Sequence, residues 1–138
     1  MKLNEEEVRT VGALLGRDDH SDGEFCRKAA KQCEWEAVCV TRGARGCALL
    51  IGGEYAEVEG YTVQVTDTVG SGDAFAAAFI HGLSSNWPPG SIGDFANRVG
   101  ALVASRAGAI PDWTIDECEA LARSSNHHDG HAAANKVF

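Results

Sequence analysis

Asp67-Thr68-Val69-Gly70-Ser71-Gly72-Asp73-Ala74-Phe75 is the stretch whose reading decides the fold. The β-branched residues Thr62, Val63, Val65 and Thr66 lead into it and predict a strand. The small, apolar run Ala76 to Leu83 leads out and predicts a helix over 71–83. Between them, two glycines and a serine form a turn that runs straight into the first helical turn. The first N–H groups of a helix have no internal partners and lie at the positive end of its dipole. Gly70 and Gly72 keep side chains out of the way, so an anion can reach those amides. Asp73 sets a carboxylate beside the same spot. Anion donors next to a base suit a site where a hydroxyl loses its proton as a phosphoryl group arrives. The same residues also suit a plain glycine turn with Asp73 in an ordinary helix start, and local chemistry leaves the two readings level. The stretch is not a P-loop, because no Gly-Lys-Ser/Thr follows the glycines. Nor is it the dinucleotide fingerprint, because Phe75 stands where the third glycine belongs.

Upstream, Ala37–Thr41 and Cys47–Ile51 predict short apolar strands joined by the turn Arg42-Gly43-Ala44-Arg45-Gly46. Gly52-Gly53 predicts a hairpin turn, and Tyr55–Val58 and Tyr61–Val65 alternate about Gly60 as a further strand pair. Earlier still, Asn4 and Glu7 have capping-box spacing ahead of Val8, Val11, Leu14 and Leu15. Ser21 and Glu24 repeat that spacing ahead of Phe25, Ala29 and Cys33, in a helix ending near Glu34. Downstream, Trp87-Pro88-Pro89-Gly90 breaks the chain. A small-residue helix then runs from Ser91 to about Ala107, stopped by Gly108 and Pro111. Thr114 and Glu117 cap a last helix to about Arg123. Helices and strands in this order predict a layered α/β fold with a mixed sheet flanked by helices. It spans 1–123, and 124–138 forms a flexible polar tail.

At 138 residues the chain fits one domain with a sizeable core. Its net charge of −8 argues against nucleic acid or an anionic membrane as the main partner. No apolar run reaches membrane-spanning length, and the first residues have no signal-peptide core. Cys26, Cys33, Cys39, Cys47 and Cys118 are odd in number and include no Cys-x-x-Cys pair, so they read as reduced thiols of a cytoplasmic protein.

Three further places can carry chemistry. Asn4 and Glu7 either cap a helix or hold metal-bound water and phosphate oxygens. Thr41 to Gly46 is a strand end, where α/β sheets place ligands, or a plain hairpin turn. Asn97, a mediocre helix former in a small-residue helix, either faces solvent or hydrogen-bonds a base or ribose. His127, His128 and His131 in the tail lack the supporting shell a metal site needs.

Taken together, these motifs resemble the C-terminal part of a carbohydrate kinase of the ribokinase (PfkB) family. The nine residues from Asp67 to Phe75 look like that family's C-terminal signature, with Ser71 where alanine is usual. Asn4-Glu5-Glu6-Glu7, the Thr41 to Gly46 turn, and Asn97 to Pro111 follow the family's order over about residues 2–115. The resemblance implies a ribokinase-like fold and ATP-dependent phosphoryl transfer to a sugar alcohol group, with fructokinase-like members most similar. It implies Asp73 as the base and the amides of Gly70, Ser71 and Gly72 as the anion hole. Thr41, Gly43 and Gly46 would lie along the ATP phosphates and ribose, with Asn97 near the adenine. Asn4 and Glu7 would position magnesium and phosphate through water. A monovalent cation, potassium in the first instance, would meet Asp67 and carbonyls near Val69, Val103, Arg106 and Gly108.

Members of the family have an N-terminal half that supplies most of the sugar pocket and the lid, and nothing in this sequence resembles it. The strand expected before the Asn4–Glu7 helix also reads as missing. The expectation is therefore a C-terminal part of a sugar kinase that is inactive alone and self-associates through an exposed sheet edge. A non-catalytic nucleotide-binding or assembly module is the competing function.

Overall fold

A computed structural model describes residues 1–16 and 21–121. Its frame is a four-stranded mixed sheet in the order β1-β2-β3-β4. The strands are β1 (Lys2–Asn4), β2 (Ala37–Thr41), β3 (Cys47–Ile51) and β4 (Glu54–Val58). β1 runs parallel to β2, and the other two pairings are antiparallel. Two helices, α1 (Glu5–Leu14) and α2 (Asp22–Cys33), lie between β1 and β2 in the chain. Two more, α3 (Ser71–Ser84) and α4 (Pro89–Ala104), follow the sheet, and a last helix occupies 115–121.

The strand pattern explains the layering. Successive side chains on a strand point to opposite faces, and an apolar run with no polar face is covered on both. Val38, Val40, Ala48 and Leu50 face Leu3, Phe25 and Ala29 on the α1/α2 side. Cys39, Cys47 and Leu49 face Phe75, Phe79, Ile92 and Val99 on the α3/α4 side. Phe25 and Leu49 are 1% and 0% exposed, and burying a side chain of that size stabilises by roughly 1.5–3 kcal/mol. The exposed Lys28–Glu24 pair on α2 contributes only about 0.3–0.5 kcal/mol, so apolar packing holds that helix in place. Four of the five cysteines are buried and all are free thiols. Burial, reinforced by the nearby Asp22 charge, pushes the Cys26 thiol up to about 11.

Local signals fix the helix starts. Asn4 accepts from the Glu7 amide at 2.8 Å while Glu7 accepts from the Asn4 amide at 2.7 Å, a complete capping box. Ser21 caps α2 through the Glu24 amide at 3.2 Å, and Thr114 and Glu117 cap the last helix reciprocally. Gly52 and Gly53 have φ of 56° and 87°, the backbone that a tight hairpin between β3 and β4 requires.

Several expectations need correction. The strand before the Asn4–Glu7 helix is present: β1 pairs Lys2 with Cys39, Leu3 with Val40 and Asn4 with Thr41. Three residues are too few for alternation to be read, and the pairing alone defines the strand. Residues 59–65 form no strand. A Cβ on Gly46 would lie 2.0 Å from the Val58 carbonyl oxygen, and one on Gly60 would lie 2.2 Å from that of Ala44. The chain leaving β4 therefore crosses tightly over the 43–45 turn, which carries Tyr61 to Val65 off the sheet. The Thr66 and Asp67 amides bond to the Ala104 carbonyl at the end of α4, at 2.9 and 3.2 Å, instead of joining a ladder. α4 begins at Pro89 and ends at Ala104. Proline suits the first helical position, because its missing N–H would have no partner there. The end of the last helix and the 124–138 tail, with its three histidines, fall outside the described residues.

Candidate active site

A groove of about 590 Å³ opens beside the carboxyl ends of β1 and β2 and the first turn of α3. Residues far apart in sequence meet in it: Asn4, Thr41, Gly43, Gly46, Ser71, Gly72 and Asn97 all line it. Its outer wall is the chain from Gly60 to Val65, the segment that left the sheet. Gly100 lets α4 approach the α3 start, since a Cβ there would already touch the Ser71 carbonyl oxygen at 3.4 Å. Sequence reasoning found the motif residues and missed this wall, because only the tertiary crossing at Gly46 and Gly60 creates it. It also missed Lys2, which lines the groove from β1.

The turn at the start of α3 has the features its sequence asks for. Gly70 sits at φ 82° and forms the N-cap, a left-handed backbone that strains any residue with a Cβ. The Ser71 hydroxyl and amide both donate to the Thr68 carbonyl, at 2.8 and 3.3 Å, and close the turn. The amides of Gly70 and Gly72 make no hydrogen bond among the described residues. Asp73 is exposed on the first turn of α3, just beyond the groove lining.

Neighbouring groups hold the walls in place. Arg42 is gripped by Asp22 at 2.6 Å and by Glu57 at 3.1 Å, tying the end of β2 to α2 and β4. Its hydrogen bonds to Tyr55 and Arg42 hold the Glu57 carboxyl below the usual range. Arg45 pairs with Glu5 and fastens the 43–45 turn to the start of α1. The Tyr61 hydroxyl donates to Asp94 at 2.5 Å. Burial and that bond push the phenol up to about 12.

Asn97 is 7% exposed, the one buried polar residue among the described residues. Its Nδ2 donates to the carbonyls of Val58 and Glu59 at 3.3 and 3.0 Å, so it clamps the chain as it leaves β4 while lining the groove. Removing one partner strands buried acceptors, at a cost of roughly 1–3 kcal/mol. Asn97→Ala is therefore expected to lower stability by about that amount in urea unfolding, with the slope unchanged. A midpoint equal to that of the unaltered chain would show that the clamp contributes nothing.

The residues assigned to a monovalent cation lie in two adjoining segments outside the groove. Asp67 accepts from the Val69 amide at 3.0 Å, and the Val103 carbonyl accepts from the Arg106 amide at 3.1 Å. A Cβ on Gly70 would lie 2.0 Å from the Ala109 carbonyl oxygen, so the 108–110 segment presses directly on the turn. Among the described residues, no group of three His, Cys, Asp or Glu side chains is arranged to hold a metal. Asn4 and Glu7 spend their side chains on each other. Glu7 does not line the groove, and its carboxylate accepts from the Asn4 amide, so this pair could meet a magnesium ion only through water and does not form a protein cage.

Residues 1–116 match the model of the pfkB family of carbohydrate kinases. The chain belongs to this family. It is 34% identical over 116 residues to fructokinase from Escherichia coli, a match covering 80% of this chain and 36% of that relative. A solved 2-dehydro-3-deoxygluconokinase from Thermotoga maritima superimposes with a TM-score of 0.76 at 21% identity, over 88% of this chain and 40% of that one. Phosphofructokinase-2 from Escherichia coli, solved in complex with potassium, gives a TM-score of 0.73 at 19% identity over 91% and 40%. The fold is therefore ribokinase-like. The matched chain spans about a third of the length of the fructokinase relative.

Proposed function

We propose that this pfkB-family chain carries the nucleotide side and the phosphoryl-transfer turn of an ATP-dependent sugar kinase. The observation that carries the reading is the convergence of Asn4, Thr41, Gly43, Gly46 and Asn97 on the groove at the Ser71–Gly72 turn. In this reading the nucleotide lies along the Thr41 to Gly46 turn with its base toward Asn97. Its terminal phosphate reaches the open amides of Gly70 and Gly72. The oxygen of a sugar hydroxyl attacks the γ-phosphorus and passes its proton to the Asp73 carboxylate. The bond from that phosphorus to the bridging oxygen breaks, and its electron pair leaves on ADP. Little covalent work falls to the protein, which positions the reactants and stabilises developing charge. A magnesium ion on the phosphates would spread their negative charge, and Asn4 and Glu7 would meet it through water. The loops at Asp67–Val69 and Val103–Gly108 would hold a monovalent cation, potassium being the ion named for the phosphofructokinase-2 neighbour.

The similarity to fructokinase favours a ketohexose as the acceptor. A second reading, a nucleotide-binding module without turnover, is favoured by the exposed position of Asp73 just beyond the groove lining. One experiment separates them. Calorimetric titration with magnesium–ATP is expected to give one saturable site under either reading, and a coupled assay for ADP release in fructose tells them apart, release at background favouring the module. ADP release that depends on fructose would establish a complete kinase. Absence of ATP binding would overturn the nucleotide reading.

A further inference from the structure

α4 holds the chain that leaves β4 at two successive turns. Asn97 donates to the Val58 and Glu59 carbonyls, and Asp94, one turn earlier, accepts from the Tyr61 hydroxyl at 2.5 Å. Tyr61 is the first side chain of the 60–65 wall. Its hydroxyl is spent on α4 and not on the groove it lines.

Asp94 is itself held. Its other carboxylate oxygen accepts from Arg98 Nη2 at 2.8 Å, so both oxygens are engaged. Arg98 Nη1 donates to the Cys118 carbonyl in the last helix at 3.5 Å. The arginine side chain is 15% exposed, and its Nε is buried with no hydrogen-bond partner among the described residues. A buried N–H left unpaired is costly and rare. The rigid guanidinium fork accounts for it: aiming the two terminal nitrogens at Asp94 and Cys118 fixes where Nε points. What the arrangement secures is the direction of the Asp94 carboxylate. Asp94, Arg98 and Cys118 also line a second cavity, of about 550 Å³, which shares no lining residue with the groove. The Tyr61–Asp94 bond therefore runs from the wall of one cavity to the wall of the other.

We propose that Asp94 is a positioning residue for the nucleotide: held by Arg98, it anchors Tyr61 and so fixes the wall at the Asn97 end of the groove. The proposal rests on the nucleotide reading above and adds to it a residue that neither lines the groove nor belongs to any of the four motifs. Without the anchor, the Tyr61 side chain gains rotamers, and the ligand must order the wall as it binds, which lowers affinity. The base and ribose lie at this end in that reading, so adenosine and ATP lose affinity alike. A contact to the phosphates would weaken ATP alone.

The test is calorimetry on the chain as it stands, titrated with adenosine and magnesium–ATP. Asp94→Ala and Tyr61→Phe each remove the bond, while Asp94→Asn keeps an oxygen able to accept from Tyr61. The first two are each expected to weaken both ligands about five- to tenfold, within the scale of one lost hydrogen bond to a charged group. The double variant is expected to bind no more weakly than Asp94→Ala, because the two changes break the same bond. Asp94→Asn is expected to regain most of the loss. Tyr61→Phe keeps the ring and its packing, so the test stands even if Asp94→Ala fails to fold. Losses that multiply in the double variant would overturn the proposal, as would an Asp94→Asn protein as weak as Asp94→Ala, which marks the Arg98 pair as a merely structural one. If the unaltered chain binds neither adenosine nor ATP, the nucleotide reading falls and the Asp94 role with it. If it binds both and Tyr61→Phe binds them equally, only the Asp94 role falls.

Discussion

Asp73→Asn is expected to lower the rate of sugar phosphorylation by about 10²- to 10⁴-fold in a kinase-competent protein carrying this chain, the usual contribution of a general base. At about 1.36 kcal/mol per decade, that is roughly 3–5 kcal/mol of transition-state stabilisation. The side chain is exposed and stands on the first turn of α3, beside Gly72 and its open amide. Asparagine keeps its shape and can still sit near a helix N-terminus, so neither the fold nor the nucleotide groove should respond. The expected pattern is a collapse of kcat with magnesium–ATP affinity unchanged, read from steady-state kinetics beside a binding titration. Turnover within a few-fold of the parent would remove Asp73 from the mechanism. A parallel loss of ATP affinity would move it from base to nucleotide contact.

Gly70→Ala carries the second large effect, and it reaches the site through the backbone. Gly70 has φ 82°, and a Cβ there would lie 2.0 Å from the Ala109 carbonyl oxygen. Placing an L-residue in the left-handed region costs about 1–2 kcal/mol. The collision adds to that, because the atom in the way is backbone and cannot rotate aside. A total loss of about 2–4 kcal/mol is expected, a large fraction of the 5–15 kcal/mol typical of a domain. Urea unfolding followed by circular dichroism measures it. Gly72→Ala is the natural control: beyond its own helix and chain neighbours, the Lys2 ammonium alone among the described residues lies within 4 Å of its Cβ position, and its φ is not in the left-handed region. A Gly70→Ala protein as stable as the Gly72→Ala protein would mean that the 108–110 segment does not press on the turn.

The comparison of sequence with structure turns on which signals are local. The capping box at Asn4 and Glu7 and the Gly52-Gly53 hairpin each depend on residues within a few positions, and both were legible. The apolar strands β2 and β3 were legible because burial on both faces leaves a continuous apolar run. Tyr61 to Val65 misled for a physical reason. β-branched residues favour extended backbone, but extended backbone becomes a strand only where a partner edge lies alongside, and the crossing at Gly46 and Gly60 takes this segment elsewhere. β1 was illegible because three residues carry no period. Lys2 could not be read as a site residue, since only the parallel pairing with β2 shows that it and Asn4 share the groove face. The motif residues were legible singly, while their convergence is a property of the sheet and its two helical layers.

β1 holds to the rest of the sheet through three residue pairs on one side only, with its outer edge unpaired among the described residues. Yet Lys2 and Asn4, which form one wall of the groove, both ride on it. The wall facing them, the start of α3, is anchored by a long helix packed along α4 and the sheet. The groove thus joins a three-residue edge strand to the start of a fourteen-residue helix. Local opening free energies differ in this way across many folds. A ligand spanning both walls binds only while β1 is docked, so mass action makes the ligand a fastener for the strand. Occupancy of the groove and residence of the first strand in the sheet are then one equilibrium seen from two ends.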